Sequence, residues 1–109
     1  MPYLPAYLQF IRLFNAQKFF EAHEVLELLW REEKGPDRDF YQGLIQIAAV
    51  FVHLQKNNLP GAQRLLETAA AYLKPYAPFC HGVLIEELLA AVRQALRDAP
   101  AFTSPKIQL

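Results

Sequence analysis

The sequence predicts an all-α protein with a single domain, a bundle of about five helices. Apolar residues recur at intervals of three and four along most of the chain, which is the period of an amphipathic helix. Gly and Pro stand mainly between these stretches, where they end helices and form turns. With 109 residues, 53% of them hydrophobic, the chain is long enough to bury one core. We expect residues 1–98 to form this helical domain and residues 99–109 to form an extended C-terminal tail.

The first two helices are predicted over residues 6–15 and 18–33. In the first, one apolar stripe is formed by Tyr7, Phe10, Ile11 and Phe14. The second contains Trp30 and ends before Gly35 and Pro36, because a glycine followed by a proline is a common helix stop. Charged residues between positions 31 and 39 are expected to form a solvated turn in which an Arg or Lys can cap a helix end.

Three more helices are predicted over residues 37–57, 60–76 and 82–98. The third has the widest apolar arc, so we expect it to be the central helix. The fourth starts at Pro60 and stops at the prolines that follow it, Pro75 and Pro78. The second and fourth predicted helices share a weak internal repeat. Ala22, Leu26 and Glu27 of the second helix are matched, forty residues later, by an alanine, a leucine and a glutamate of the fourth. This internal repeat suggests two related helical hairpins with tetratricopeptide-like packing.

Composition disfavours several classes of function. Eleven basic residues balance eleven acidic ones and no run of four basic residues occurs, whereas a nucleic-acid surface needs clustered positive charge. A single cysteine, Cys80, cannot form an internal disulfide, which favours a reducing compartment. No secretory signal is recognised at the start, and no apolar run reaches the ~18 residues of a membrane span. We therefore expect a soluble cytoplasmic protein without nucleic-acid or membrane partners.

Polar residues around His23 stand within otherwise apolar helices. On a helical wheel His23 lies at the border of the apolar face, beside Trp30, an aromatic wall on which a ligand could stack. Glu27 follows four residues later, so its carboxylate can reach the imidazole. On the helical wheel Glu24 lies between Phe20 and Leu28, and its exposure depends on how fully other elements surround the helix.

The third helix carries a matching polar stripe. Gln42, Gln46 and His53 fall on one side of it, together with Ala49. This stripe either faces solvent or faces the second helix, where it would complete a shared polar patch of His23, Glu24, Glu27, Gln42, Gln46 and His53. Such a patch is a structural hydrogen-bond network, an exposed polar face or a ligand or metal site, and the sequence leaves these three readings open. Gly43 favours close approach of a neighbouring helix, because glycine within a helix costs ~1 kcal/mol relative to alanine.

Known catalytic and metal motifs are incomplete in this chain. His23 and Glu24 resemble half of the zinc-protease helix, but Glu27 stands where that motif needs a second histidine. Gln42 and Gln46 stand where a di-iron or magnesium site would need carboxylates. For Cys80 and its neighbour His81 no acidic or amide orienting group can be assigned, so an ordinary thiol in a turn is expected. The sequence therefore indicates no cofactor, no metal and no assignable catalytic residue.

Taken together, the motif residues resemble the small all-helical family catalogued as domain of unknown function 309. The resemblance covers about residues 10–75 and rests on Phe14-Asn15, Phe19-Phe20-Glu21-Ala22-His23-Glu24, Leu26-Glu27, Trp30, Gln42-Gly43-Leu44-Ile45-Gln46, Ala48, His53 and Gly61-Ala62. It implies an all-helical fold, singles out the polar patch and implies no activity. The turn at Asn58-Leu59-Pro60-Gly61 departs from the glycine-asparagine turn more usual in the family.

Two functions from different classes remain. The first is a non-enzymatic helical interaction module, whose spare apolar surface binds another protein or a second copy of the chain. The alternative is a small metal-dependent enzyme or ligand-binding protein that uses His23, Glu24 and Glu27, since a titratable pair beside an apolar wall can tune a pKa. The incomplete motifs favour the interaction module.

Overall fold

The computed structural model describes residues 3–109, which form five α-helices and a small β-hairpin. The helices are α1 Pro5–Asn15, α2 Phe19–Glu32, α3 Arg38–Gln55, α4 Leu59–Leu73 and α5 Ile85–Asp98, with a short 3-10 turn at Lys74–Tyr76 and strands β1 Phe79–Cys80 and β2 Val83–Leu84. The all-α prediction is confirmed. None of the helices in this range is long and apolar enough to cross a membrane.

Helix α3 is the centre of the fold. Ten of its 18 residues are buried, and it packs against both α2 and α4. Gly43 lets α4 approach closely, because a Cβ at this position would lie 2.5 Å from Cγ of Leu73. The close neighbour that the sequence predicts for Gly43 is therefore α4.

Phenylalanine side chains join α3 to the first two helices and to the C-terminal segment. Phe19 stacks on Phe51 with ring centroids 4.8 Å apart, and the edge of Phe14 meets Phe19 at 5.1 Å. Phe102 packs on Phe51 from the C-terminal segment. Contacts of this kind add about 0.5–1.5 kcal/mol each beyond the area they bury.

The α1–α2 and α3–α4 turns share one geometry at an offset of forty residues. Gln17 and Asn57 both adopt left-handed backbone, with φ of 64° and 57°. The next residue in each turn donates its N–H five residues back, Lys18 to Leu13 at 2.9 Å and Asn58 to His53 at 2.8 Å. Both turns thus end the preceding helix with the same backbone hydrogen bond. They are forty residues apart, which is the spacing of the weak internal repeat in the sequence.

The predicted start of the last helix at Gly82 is wrong, because a hairpin occupies this segment and α5 begins at Ile85. His81 and Gly82 have φ of 47° and 82° between the paired residues Cys80 and Val83. Positive φ at both central residues is the requirement of a two-residue type I′ hairpin turn, and it cannot continue a right-handed helix. The hairpin projects the His81 ring toward the start of α3.

Residues 102–109 have no regular secondary structure and lie against the helical domain. Ser104 and Ile107 are buried, and Asn15 at the end of α1 binds the backbone of Ile107. The C-terminal segment is therefore held against the end of α1.

Candidate functional site

The structure brings His23 and Glu27 together on α2. His23 Nε2 lies 3.5 Å from Glu27 Oε2, and Arg31 donates a 2.6 Å hydrogen bond to Glu27 Oε1. The side chains of His23 and Glu27 are 29% and 31% exposed. One carboxylate thus serves two basic neighbours on successive helical turns and orients the imidazole toward itself.

Two atoms of the predicted polar patch are buried without a hydrogen-bond partner among residues 3–109. They are His23 Nδ1 and Gln46 Oε1. Because Nε2 of His23 faces a carboxylate, we assign its proton to Nε2, which leaves Nδ1 as an acceptor. An acceptor left unpaired in this way costs about 1–3 kcal/mol. The α2–α3 interface therefore lacks the reciprocal hydrogen bonds that a structural network between these two side chains would supply.

His53 serves a different part of the fold. Its Nδ1 lies 3.0 Å from Asn58 Nδ2, and Asn58 Oδ1 accepts a 3.1 Å hydrogen bond from the backbone N–H of Gly61. Asn58 is thus the N-cap of α4, and His53 holds its amide in place. Gln42 is half-buried, and its side chain makes no hydrogen bond with another residue in the 3–109 range. Within residues 3–109, side-chain hydrogen bonds therefore do not join the six predicted residues into one network.

Trp30, the predicted aromatic wall, is covered by Arg38. The guanidinium carbon of Arg38 lies 4.2 Å from the centre of the Trp30 ring. The same guanidinium donates to the backbone oxygens of Trp30 and Glu33 at 3.1 and 2.9 Å. Arg38 therefore caps the C-terminus of α2 and stacks on its last aromatic residue, which gives the charged turn the capping role predicted from the sequence.

The outer face of α2 carries an apolar pair. Phe20 is 55% exposed and Leu28 is 62% exposed. Between them runs a shallow groove of about 360 Å³ lined by Phe20, His23, Glu24, Val25, Glu27, Leu28 and Arg31. The carboxylate of Glu24 forms no ion pair within the described part of the chain. The groove thus presents two large apolar side chains around one free negative charge.

A polar cluster that sequence reasoning missed lies at the hairpin. His81 Nε2 is 2.9 Å from Asp37 Oδ2, 44 residues earlier in the chain. Cys80 completes the cluster, since one ligand atom from each of the three residues lies within 4.8 Å of the other two. The adjacency of Cys80 and His81 was visible in the sequence, but their orienting carboxylate was not, because the fold alone brings α3 to the hairpin. By contrast, His23, Glu24 and Glu27 form no such three-donor group among residues 3–109.

Comparison with known proteins places this geometry in a family. Residues 7–65 match the model of a family described as Domain of unknown function (DUF309). The chain belongs to DUF309. Over 110 aligned residues it is also 30% identical to the Uncharacterized protein YpuF of Bacillus subtilis (strain 168), with 94% of this chain and 63% of YpuF covered. The DUF309 segment contains His23 and the α2 groove, whereas Cys80 and His81 follow it.

Proposed function

We propose that this DUF309 protein is a helical interaction module, and that the outer face of α2 is its docking surface. The observation that carries the proposal is the exposure of Phe20 and Leu28, 55% and 62%, on either side of a groove. Large apolar side chains gathered on one face, with polar groups between them, are typical of protein interaction sites. No catalytic chemistry is required of these residues.

The charges of the groove specify the partner. Arg31 already neutralises Glu27, so Glu24 is the carboxylate that a partner must satisfy. Phe20 and Leu28 are eight residues apart, about 12 Å along a helix. An amphipathic helix with two apolar residues seven or eight positions apart, and a Lys or Arg between them, fits this arrangement.

A second copy of the chain fits less well. A two-fold interface that placed Phe20 against Leu28 of the other copy would centre its axis on Glu24, midway between them. The two Glu24 carboxylates would then face each other without a cation, which is unfavourable at a buried interface. A basic helical segment from another protein is therefore the occupant we propose.

Two synthetic helical peptides test the proposal. They share one apolar face, with leucines seven residues apart, and differ in carrying Lys or Glu between these leucines. Fluorescence anisotropy should show the Lys peptide binding about tenfold more tightly than the Glu peptide, a difference of ~1.4 kcal/mol. The charge reversal Glu24→Lys should invert this preference, and the double variant Phe20→Ser, Leu28→Ser should abolish binding.

Leu84→Ser is the matched control, because Leu84 is another large exposed apolar residue, 47% exposed, and lies on β2 away from the groove. It should leave peptide binding unchanged. Binding of neither peptide by the wild-type chain, or binding that survives the double variant, would overturn the proposal. Light scattering gives the remaining outcome: a dimer that the double variant dissolves would make a second copy the occupant, contrary to the proposal.

A further inference from the structure

We propose that Asp37, Cys80 and His81 form a binding site for a zinc-class divalent metal ion. The three donors are a carboxylate at the start of α3, a thiol in β1 and an imidazole in the hairpin turn. None of them belongs to the α2 docking surface. Two of the three lie beyond the DUF309 segment, so this site does not depend on the proposed function.

The donor geometry is close to that of a tetrahedral site. Donors that share one Zn²⁺ lie about 3.3–3.6 Å apart, given metal–ligand distances of about 2.0–2.3 Å. The 2.9 Å separation of His81 Nε2 from Asp37 Oδ2 is slightly shorter than this. Every donor pair lies within 4.8 Å, so we expect small side-chain rotations to bring the three donors to metal-bound spacing.

The imidazole of His81 is held in position on several sides. Its ring packs on Tyr7, Phe40 and Tyr41, with centroid distances of 6.1, 5.3 and 6.4 Å. The hydroxyl of Tyr7 donates a 2.7 Å hydrogen bond to the backbone oxygen of His81. Its backbone also adopts a left-handed conformation, φ 47°, that the hairpin turn imposes. A ligand held by such contacts loses little freedom when a metal binds.

The donor types select the metal. One sulfur, one nitrogen and one carboxylate oxygen suit Zn²⁺, and its common spectroscopic substitute Co²⁺, better than Mg²⁺ or Ca²⁺, which prefer oxygen ligands alone. Three protein ligands leave the fourth position of a tetrahedral ion open, as in catalytic rather than purely structural zinc sites. That position would be taken by water or by a small ligand.

A cysteine nucleophile is the main rival reading of this cluster. Activation would need a thiolate, but burial, reinforced by the negative charge of Asp37, raises the pKa of the Cys80 thiol. Asp37 therefore opposes the charge that a free nucleophile requires. A bound cation reverses this effect, because it stabilises thiolate and carboxylate together.

Titration of tag-free, chelator-treated protein with Co²⁺ tests the site directly. We expect one equivalent to bind, with the intense ligand-field bands of a tetrahedral ion and a thiolate-to-cobalt charge-transfer band, and Zn²⁺ to displace it. Competition with a chromophoric chelator then gives the affinity for Zn²⁺. Absence of stoichiometric binding, or a cobalt spectrum without the thiolate band, would overturn the proposal on the wild-type chain alone.

Three conservative variants assign the ligands. Cys80→Ser should remove the charge-transfer band, and His81→Asn retains a residue that tolerates the left-handed turn. These two variants and Asp37→Asn should each weaken Zn²⁺ binding by more than about 100-fold. Loss of a residue that only orients a ligand weakens metal binding by about 10- to 100-fold. Asp39→Asn, the same change at an exposed carboxylate two residues after Asp37, is the matched control and should bind as the wild type does. Wild-type affinity in any of the three ligand variants, with folding verified by circular dichroism, would disprove the assignment.

Discussion

Asn15 holds Ile107 through both groups of its side-chain amide. Its Nδ2 donates to the backbone oxygen of Ile107 at 2.9 Å, and its Oδ1 accepts from the backbone N–H of Ile107 at 2.8 Å. The ammonium of Lys106 adds a 3.1 Å hydrogen bond to the backbone oxygen of Asn15. The Asn15 side chain therefore satisfies both backbone polar groups of Ile107, as a paired β-strand would.

Replacement of this amide should release the C-terminal segment. Asn15→Leu keeps a side chain branched at Cγ but has neither a donor nor an acceptor, so it leaves two backbone groups of Ile107 without partners. We expect a loss of about 1–3 kcal/mol in the free energy of unfolding. Hydrogen exchange at Ile107 should accelerate at the same time, while exchange within α3 stays slow.

The control for this variant is Gln9→Leu, the same amide-to-leucine change at an exposed position of α1. It should alter neither stability nor exchange at Ile107. Unchanged protection of the Ile107 amide in Asn15→Leu would show that burial of the Ile107 side chain alone holds the segment.

The unpaired acceptor of Gln46 predicts a stabilising substitution. Gln46→Met keeps the length of the side chain and removes a buried oxygen that has no partner within residues 3–109. Chemical denaturation should show the free energy of unfolding rising by about 1 kcal/mol, since removing an unsatisfied polar group recovers part of its desolvation cost. Gln42→Met, one turn earlier, should change stability by less than about 0.5 kcal/mol. A marked loss of stability in Gln46→Met would instead indicate that Gln46 belongs to a hydrogen-bond network.

The helical architecture was predictable because it depends on local patterns. Apolar spacing places the buried face of each helix, and Gly35 with Pro36 marks the end of α2. The sequence does not predict the hairpin, because His81-Gly82 is not one of the residue pairs that usually signal a two-residue hairpin turn. An imidazole fits this position here because aromatic side chains from α1 and α3 pack around it, and these contacts are tertiary.

The candidate sites likewise contain contacts that helical spacing predicts and contacts that only the tertiary fold brings about. His23 and Glu27 are four residues apart on one helix, so their pairing follows from helical spacing alone. His53 is predicted on the same stripe as Gln46, but its ring contacts Asn58, whose amide the α3–α4 turn brings to 3.0 Å from Nδ1. Asp37 and His81 are 44 residues apart on different elements, and no periodicity in the sequence relates them.

The Arg38 guanidinium makes a further prediction about α2. Arg38→Met removes two hydrogen bonds to the last turn of α2 and uncovers the Trp30 ring. We expect the free energy of unfolding to fall by about 1–3 kcal/mol. Iodide should quench the fluorescence of Trp30 more strongly in this variant than in the wild-type chain.

Arg38→Lys separates the effect of the positive charge on stability from that of the planar guanidinium group. A lysine keeps the positive charge near the end of α2 but lacks the planar guanidinium that lies over the Trp30 ring. It should recover less than half of the lost stability. Full recovery would show that the cation alone, acting on the helix dipole, accounts for the effect of Arg38.

Gly61 should resist replacement by alanine, although alanine is the better helix former. A Cβ at this position would lie 2.6 Å from Asn58 Nδ2 and 3.0 Å from His53 Nδ1, so it would displace the N-cap of α4. Loss of this cap costs about 0.5–2 kcal/mol, against a gain of ~1 kcal/mol in helix propensity. The strain of the close contact adds to the cost, so we expect Gly61→Ala to lower the melting temperature.

A double-mutant cycle isolates this effect. Asn58→Ala removes the capping amide and with it the nearest atoms that a Cβ at residue 61 would strike. The remaining contact, His53 Nδ1 at 3.0 Å, is a side-chain atom that the lost amide no longer holds in place. In that background Gly61→Ala should be neutral or stabilising, because only the gain in helix propensity remains. The two substitutions should therefore be strongly non-additive in the free energy of unfolding. Additive effects would mean that Gly61 is required for a contact other than the one with Asn58.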